Sequence, residues 1–213
     1  EEPSVAHFRP EILPDLEALY ATMGPHLKDR RPLIYIAASE RGEGASTIAK
    51  AFAYYLAVRE GEDCLYVDGN ISSPNISRSA DLPEIGLAEY LRGNDDFRLL
   101  AFPTELSGLS AVHAGDVRQH YVALSAERAK SFRDDATRDF RAVVFDGPPG
   151  FGKYSEIWAG LADAVLIVTA YRSTKESVVH RMTTGMNSAG IPISGLIFNK
   201  KEYPVPNFIY RRI

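Results

Sequence analysis

The sequence predicts an α/β domain with a mostly parallel β-sheet and helices on both faces. Three observations carry that prediction. Short apolar runs recur along the chain: Leu33–Ile36, Cys64–Asp68, Ala142–Asp146, Ala164–Ala170 and Ile193–Asn199. They are continuous instead of alternating, as strands buried on both faces should be. Stretches with helical spacing lie between them, and strand-helix alternation is the pattern of right-handed crossovers in a parallel sheet. Finally, the first run leads into a glycine-bearing turn and two others end in carboxylates, Asp68 and Asp146. In such sheets ligands bind beyond the carboxyl ends of the strands, where all three features fall.

Taken in order, residues 1–30 form an N-terminal arm and helix, 31–200 the α/β domain, and 201–213 a C-terminal tail. Leu16, Leu19, Tyr20 and Met23 share one face of a helix from Ile12 to Met23, which Gly24–Pro25 is expected to end. After the first strand and its turn, Ile48, Phe52 and Leu56 recur at i, i+4 as a buried helix face. Gly61 breaks that pattern before the second strand. Gly69–Ser77 is turn-rich, and Gly86–Leu91 is a short amphipathic helix closed by Gly93. From Asp95 to Gln119 the pattern is weak, with one strand in Leu109–Gly115. A polar helix is expected over Val122–Phe140, and a double-proline loop follows Asp146. A helix from Ser173 to Ala189 ends at Gly190, before the last strand.

Composition excludes several functions. With 213 residues, 45% hydrophobic and 24% charged, the chain can bury a core without disulfides. A net charge of −4 argues against nucleic acid as a partner and against electrostatic membrane docking. The single cysteine, Cys64, cannot form an internal disulfide, which fits a reducing compartment. No run approaches the roughly 18 apolar residues of a membrane span. These features point to a cytoplasmic location. The first residue is not Met, so a transmembrane segment fused upstream is compatible with the sequence. Trp158 and the five histidines show no metal-ligand spacing and read as structural.

The turn after the first strand carries the chemistry. Strand, glycine loop and helix form a phosphate cradle: N–H groups at the helix start face an anion, and glycines allow close approach. The candidate cradle residues are Gly42, Glu43, Gly44, Ala45, Ser46 and Thr47. A working P-loop ends Gly-Lys-Ser/Thr, with the lysine on the β- and γ-phosphates and the hydroxyl on Mg²⁺. Here Ala45 stands between Gly44 and Ser46. The missing charge-assisted hydrogen bond is worth roughly 1.5–3 kcal/mol, or about ten- to hundredfold in affinity.

With these pieces in order, the chain resembles the bacterial tyrosine kinases that control capsule and exopolysaccharide synthesis, within the MinD/ParA-like P-loop NTPases. The resemblance covers nearly the whole chain. Ser39–Thr47 looks like the family's Walker A loop, Tyr66–Pro74 like its second acidic motif (Asp-x-Asp-x-Arg), and Val143–Pro149 like its Walker B. Gly86–Gly93, Ala162–Thr169 and Ala189–Asn199 complete the order. The family likeness implies that ATP or ADP would sit on the cradle, with Asn199 at the adenine. It implies Mg²⁺ near Ser46, Asp68 and Asp146, and catalytic work at Asp68, position 70 and Asp146. It further implies tail phosphoacceptors, here Tyr203 and Tyr210, and a membrane polysaccharide co-polymerase as partner, with self-association in addition.

The chain departs from that pattern at several places. Ala45 replaces the lysine, Asn70 the second aspartate and Ser72 the arginine of the acidic motif. Glu17, Tyr20 and Met23 occupy the frame of the family's Glu-x-x-Arg-x-x-Arg ring-assembly motif, without its arginines. Asn70 cannot take a proton from a hydroxyl, so general-base help there fails. The expectation is a pseudokinase with weak or absent ATP and Mg²⁺ binding, acting as a regulator or scaffold peripheral to the inner membrane. The alternative is an active tyrosine autokinase or ATPase using a substitute cation such as Arg41. A third reading, a MinD/ParA-type positioning ATPase, is disfavoured by Glu40, where that group carries an extra lysine, and by the lack of an amphipathic tail.

Overall fold

The computed structural model describes residues 12–27, 30–71, 73, 74, 76, 83, 85–93, 96–116 and 125–200. Its elements are α1 (Leu13–Leu27), β1 (Leu33–Ala38), α2 (Ala45–Tyr54), β2 (Cys64–Asp68), α3 (Leu87–Arg92), β3 (Phe102–Pro103) and β4 (Leu109–Val112). These are followed by α4 (Ala126–Asp139), β5 (Ala142–Asp146), α5 (Lys153–Leu161), β6 (Ala164–Ala170), α6 (Glu176–Ser188) and β7 (Gly195–Asn199). The seven strands form one sheet in the order β3-β4-β2-β5-β1-β6-β7. Every pairing is parallel except β3 with β4. The predicted fold class is the one observed.

Strands β1, β2, β5 and β6 are fully buried, so each divides its side chains between two cores. Ile34, Ile36, Tyr66, Val144 and Leu166 face α1 and α2. Leu33, Tyr35, Leu65, Phe145 and Ile167 face α3, α4, α5 and α6. Trp158 anchors the second core, stacked on Phe145 at 4.2 Å and edge-on to Phe132 at 5.6 Å. Aromatic pairs at such spacings add about 0.5–1.5 kcal/mol beyond their area.

Several boundaries differ from the sequence reading, each for a physical reason. Helix α1 runs through Gly24–Pro25 to Leu27, because Leu27 is buried in the first core. Helix α5, unrecognised in the sequence, carries Trp158 and Ala159 into the second core. The C-terminal end of α2 widens into a π-helical turn over Tyr55–Arg59, with the Glu60 N–H donating to the Tyr55 carbonyl at 3.2 Å. Helix α4 starts at Ala126, where Ser125 caps it by accepting from the Arg128 N–H at 3.1 Å. Helix α6 starts only at Glu176, because Thr174 is engaged with Glu43. The short antiparallel β3 was not legible: two residues carry no periodicity.

Register brings the functional ends together. Asp68 is paired directly with Asp146 across β2 and β5, and Ile36 with the same Asp146 across β1 and β5. Ala170 is paired with Asn199 across β6 and β7. Among the described residues, no helix is long and apolar enough to cross a membrane.

Candidate functional site

The cradle is built by two glycines with left-handed backbone, Gly42 (φ 86) and Gly44 (φ 93). Gly44 is the N-cap of α2 and provides no side-chain cap, and the first intrahelical bond runs from the Ile48 N–H to the Gly44 carbonyl at 3.0 Å. The N–H groups of the first turn therefore have no intrahelical partner and face out of the helix start, where the macrodipole is positive. They border a cavity of ≈ 260 Å³ lined by Arg41, Gly42, Gly44, Ala45, Ser46 and Asn70, among others. Arg41 is the one cation among its described lining residues.

Glu43 does not turn its carboxylate to that cavity. It is 3% exposed and accepts from the Ser39 hydroxyl at 2.8 Å, the Glu40 N–H at 2.7 Å, the Ala170 N–H at 3.3 Å and the Thr174 hydroxyl. Burial pushes this carboxyl up, but the hydroxyls of Thr174 and Ser39 and the two N–H groups outweigh it and hold it below its ordinary value. Glu43 thus ties the cradle to the end of β6. Asn199 adds a second tie, its amide donating to the Glu43 carbonyl at 2.8 Å. A Cβ on Gly44 would stand 2.3 Å from that amide nitrogen, so glycine is required there both by φ and by space. The roles of Glu43 and Asn199 as loop ties were not legible from spacing. A buried acid in a glycine turn was the available signal.

The acidic pair lies one strand over. Asp68 and Asp146 are fully buried. Asp68 accepts from the Ile76 N–H at 2.8 Å, and Asp146 from the Tyr66 hydroxyl at 2.8 Å. Burial pushes Asp146 up to about 7, the Ser46 and Tyr66 hydroxyls and the Lys50 charge oppose that rise, and the Asp68 charge adds to it. Tyr66 was not anticipated as a site residue. It orients the carboxylate from behind, as outer partners of cation ligands do. The oxygen donors of Ser46, Asp68 and Asp146 converge here, and an all-oxygen set suits a hard divalent cation. A cation bound there would favour the ionised form of this buried carboxyl.

Asn70 sits two residues past Asp68 at the cavity wall, 9% exposed, and its side-chain oxygen has no hydrogen-bond partner. Thr47 is exposed on the outer side of the first turn of α2. Gly147, which follows Asp146, packs so closely on Tyr35 that a Cβ would lie 2.3 Å from its ring. In the ring-assembly frame, Met23 is buried and Tyr20 packs on Tyr55 at 5.8 Å, so both positions contribute to the domain's own core. Ser72, Tyr203 and Tyr210 lie outside the described residues.

No family model matches the chain. It is 26% identical over 180 residues to tyrosine-protein kinase CpsD of Streptococcus agalactiae serotype III, covering 83% of this chain and 77% of that protein. Its fold matches the kinase domain of the Escherichia coli tyrosine kinase ETK with a TM-score of 0.77 at 16% identity, over 91% of this chain and 79% of the other. It also matches the septum site-determining protein MinD from Pyrococcus horikoshii, in complex with Mg-ADP, with a TM-score of 0.67 at 19% identity, over 85% and 76%.

Proposed function

We propose that the chain is a catalytically degenerate relative of the bacterial tyrosine kinases of capsule and exopolysaccharide biosynthesis, acting as a regulator or scaffold; its likeness to tyrosine-protein kinase CpsD and to the fold of tyrosine-kinase domains supports this reading. It would work at the inner face of the membrane, docked to a membrane polysaccharide co-polymerase. The observation that carries this reading is Ala45, the first residue of α2, whose methyl group stands where a nucleotide's phosphates need an ammonium. Asn70 supports it, since a neutral amide at the cavity wall cannot accept a substrate proton. The cradle N–H groups would still hold a phosphate, with Asn199 and Glu43 keeping the loop in shape. Ser46, Asp68 and Asp146 would hold Mg²⁺, whose part is to neutralise phosphate charge.

The test is calorimetry with Mg-ATP and Mg-ADP on the natural chain and on a variant carrying Ala45→Lys, Asn70→Asp and Ser72→Arg. The expected result is binding by the restored variant with at least tenfold weaker or no binding by the natural chain. Micromolar binding by the natural chain, or tyrosine autophosphorylation abolished by Asp146→Ala, refutes the reading.

One observation favours an active autokinase as the second reading: Arg41 lines the cradle cavity and supplies a cation there. That reading requires nucleotide binding by the natural chain that falls at least tenfold in Arg41→Ala.

A further inference from the structure

One edge of the sheet is bare among the described residues. Strand β7 is the last in the strand order, with β6 on one side and no strand on the other. The Asn199 carbonyl accepts from the Tyr171 N–H at 2.8 Å, so Gly195, Ile197 and Asn199 turn their main-chain groups to β6. By alternation the N–H and C=O groups of Leu196 and Phe198 point away from the sheet. Their side chains are uncovered too, Leu196 being 42% and Phe198 61% exposed. Both stand on the face of the second core, since Leu196 is paired with Ile167 and Phe198 with Thr169. Helix α6 buries Met182 and Met186 on that face and leaves these two side chains open. The strand reads Gly-Leu-Ile-Phe-Asn, with neither the charge nor the proline that blunts a free edge.

The chain itself supplies a cover. After β7 comes a left-handed residue, Lys200 (φ 56), which bends the chain out of the strand. Residues 201–213 follow, outside the described residues, and can reach at most roughly 43 Å, against about 17 Å for the length of β7. Pro204 and Pro206 have no N–H to donate and belong in the connection. Beyond them 207–211 reads Asn-Phe-Ile-Tyr-Arg, rich in the aromatic and β-branched residues that favour strands. Tethered so close to the edge, this segment meets it at an effective concentration in the millimolar range, above that of a second copy in solution.

We propose that residues 207–211 add to the free edge of β7 as an antiparallel strand, with Phe208 opposite Phe198 and Tyr210 opposite Leu196. Two cross-strand pairs of large apolar side chains then close over the bare face. The same register gives the outward N–H and C=O groups of Leu196 and Phe198 their partners. It also sets Ile209 beside Ile197, on the side of the first core. A Tyr210 so held packs on its own domain and is withheld from the active site of any kinase.

The experiment reads amide hydrogen exchange at Leu196 and Phe198 by nuclear magnetic resonance, in the full natural chain and in Tyr210→Pro, each at two concentrations about tenfold apart. Proline at 210 removes an N–H that the pairing needs. The expected result is exchange at least tenfold slower in the natural chain than in Tyr210→Pro, and the same at both concentrations. Exchange in the natural chain as fast as that of an open amide overturns the proposal without reliance on any variant. Equal protection in Tyr210→Pro also overturns it. Protection lost on dilution overturns it in favour of a second copy at the edge. A full chain carrying Ile197→Cys and Ile209→Cys gives a second readout, because such facing residues in an antiparallel pair have Cα atoms about 4.5 Å apart, within disulfide reach. Cys64 is buried and does not compete. Oxidation should give an internally bridged monomer, and a bridged dimer or an unbridged chain overturns the proposal.

Discussion

Replacing Asp146 by Asn should stabilise the protein in the absence of ligands, and the gain should depend on pH in one direction. Asp146 is fully buried, and burial with the neighbouring Asp68 charge pushes its carboxyl up to about 7 from an ordinary 3.8. A group whose folded value is raised contributes its full stability below the unfolded value and loses it as pH rises through the folded value. The loss is therefore absent near pH 3.8 and complete a little above pH 7. At 1.36 kcal/mol per pH unit, the gap between about 7 and 3.8 corresponds to an upper bound of about 4 kcal/mol. Relaxation and water entry reduce such penalties, so about 2 kcal/mol is the working figure. Asparagine keeps an oxygen to accept from the Tyr66 hydroxyl and offers its NH₂ to the Ser46 hydroxyl, which can accept. For a chain of this size the gain is about 4–8 °C in melting temperature. The assay is thermal unfolding by circular dichroism of both proteins at intervals between pH 4.5 and 8. The difference should be small at pH 4.5 and open steadily toward pH 8. A constant difference, or an Asn variant less stable at pH 8, refutes the argument.

Glu43 should show the opposite signature. Its carboxyl is held below its ordinary 4.5, so its contribution is complete above that value and lost as pH falls through the lowered one. Glu43→Gln should cost about 1.5–3 kcal/mol at pH 7, with the difference closing in acid, as urea denaturation at the two pH values would report. Gly44→Ala should cost about 1–2 kcal/mol for the left-handed backbone alone, plus displacement of the Asn199 amide. Asn199→Ala in the same chain should recover the second part, readable in a double-mutant cycle of unfolding free energies. Gly147→Ala should destabilise by about 1–3 kcal/mol through overpacking against Tyr35, and Tyr35→Leu should relieve most of that cost. Additive effects of the two changes would refute the contact.

How much of this was legible in the sequence follows from the range of the interactions involved. The strands and their carboxylate ends were readable because runs such as Ala164–Ala170 are apolar on both faces, and only a sheet covered on both sides needs that. The cradle was readable because its glycines, hydroxyls and helix are consecutive. Helix α5 was not, since its nine residues bury only Ser155, Trp158 and Ala159 and leave little period to detect. The outward limit of α1 was set by Leu27 finding a place in the core, a tertiary effect that overrode the Gly24–Pro25 signal. Within the site, the ends of β2 and β5 placed Asp68 and Asp146 together, but register alone made them direct partners. Tyr66 gave no signal at all: it looked like a strand residue, and only the pairing of β2 with β5 brings its hydroxyl to Asp146.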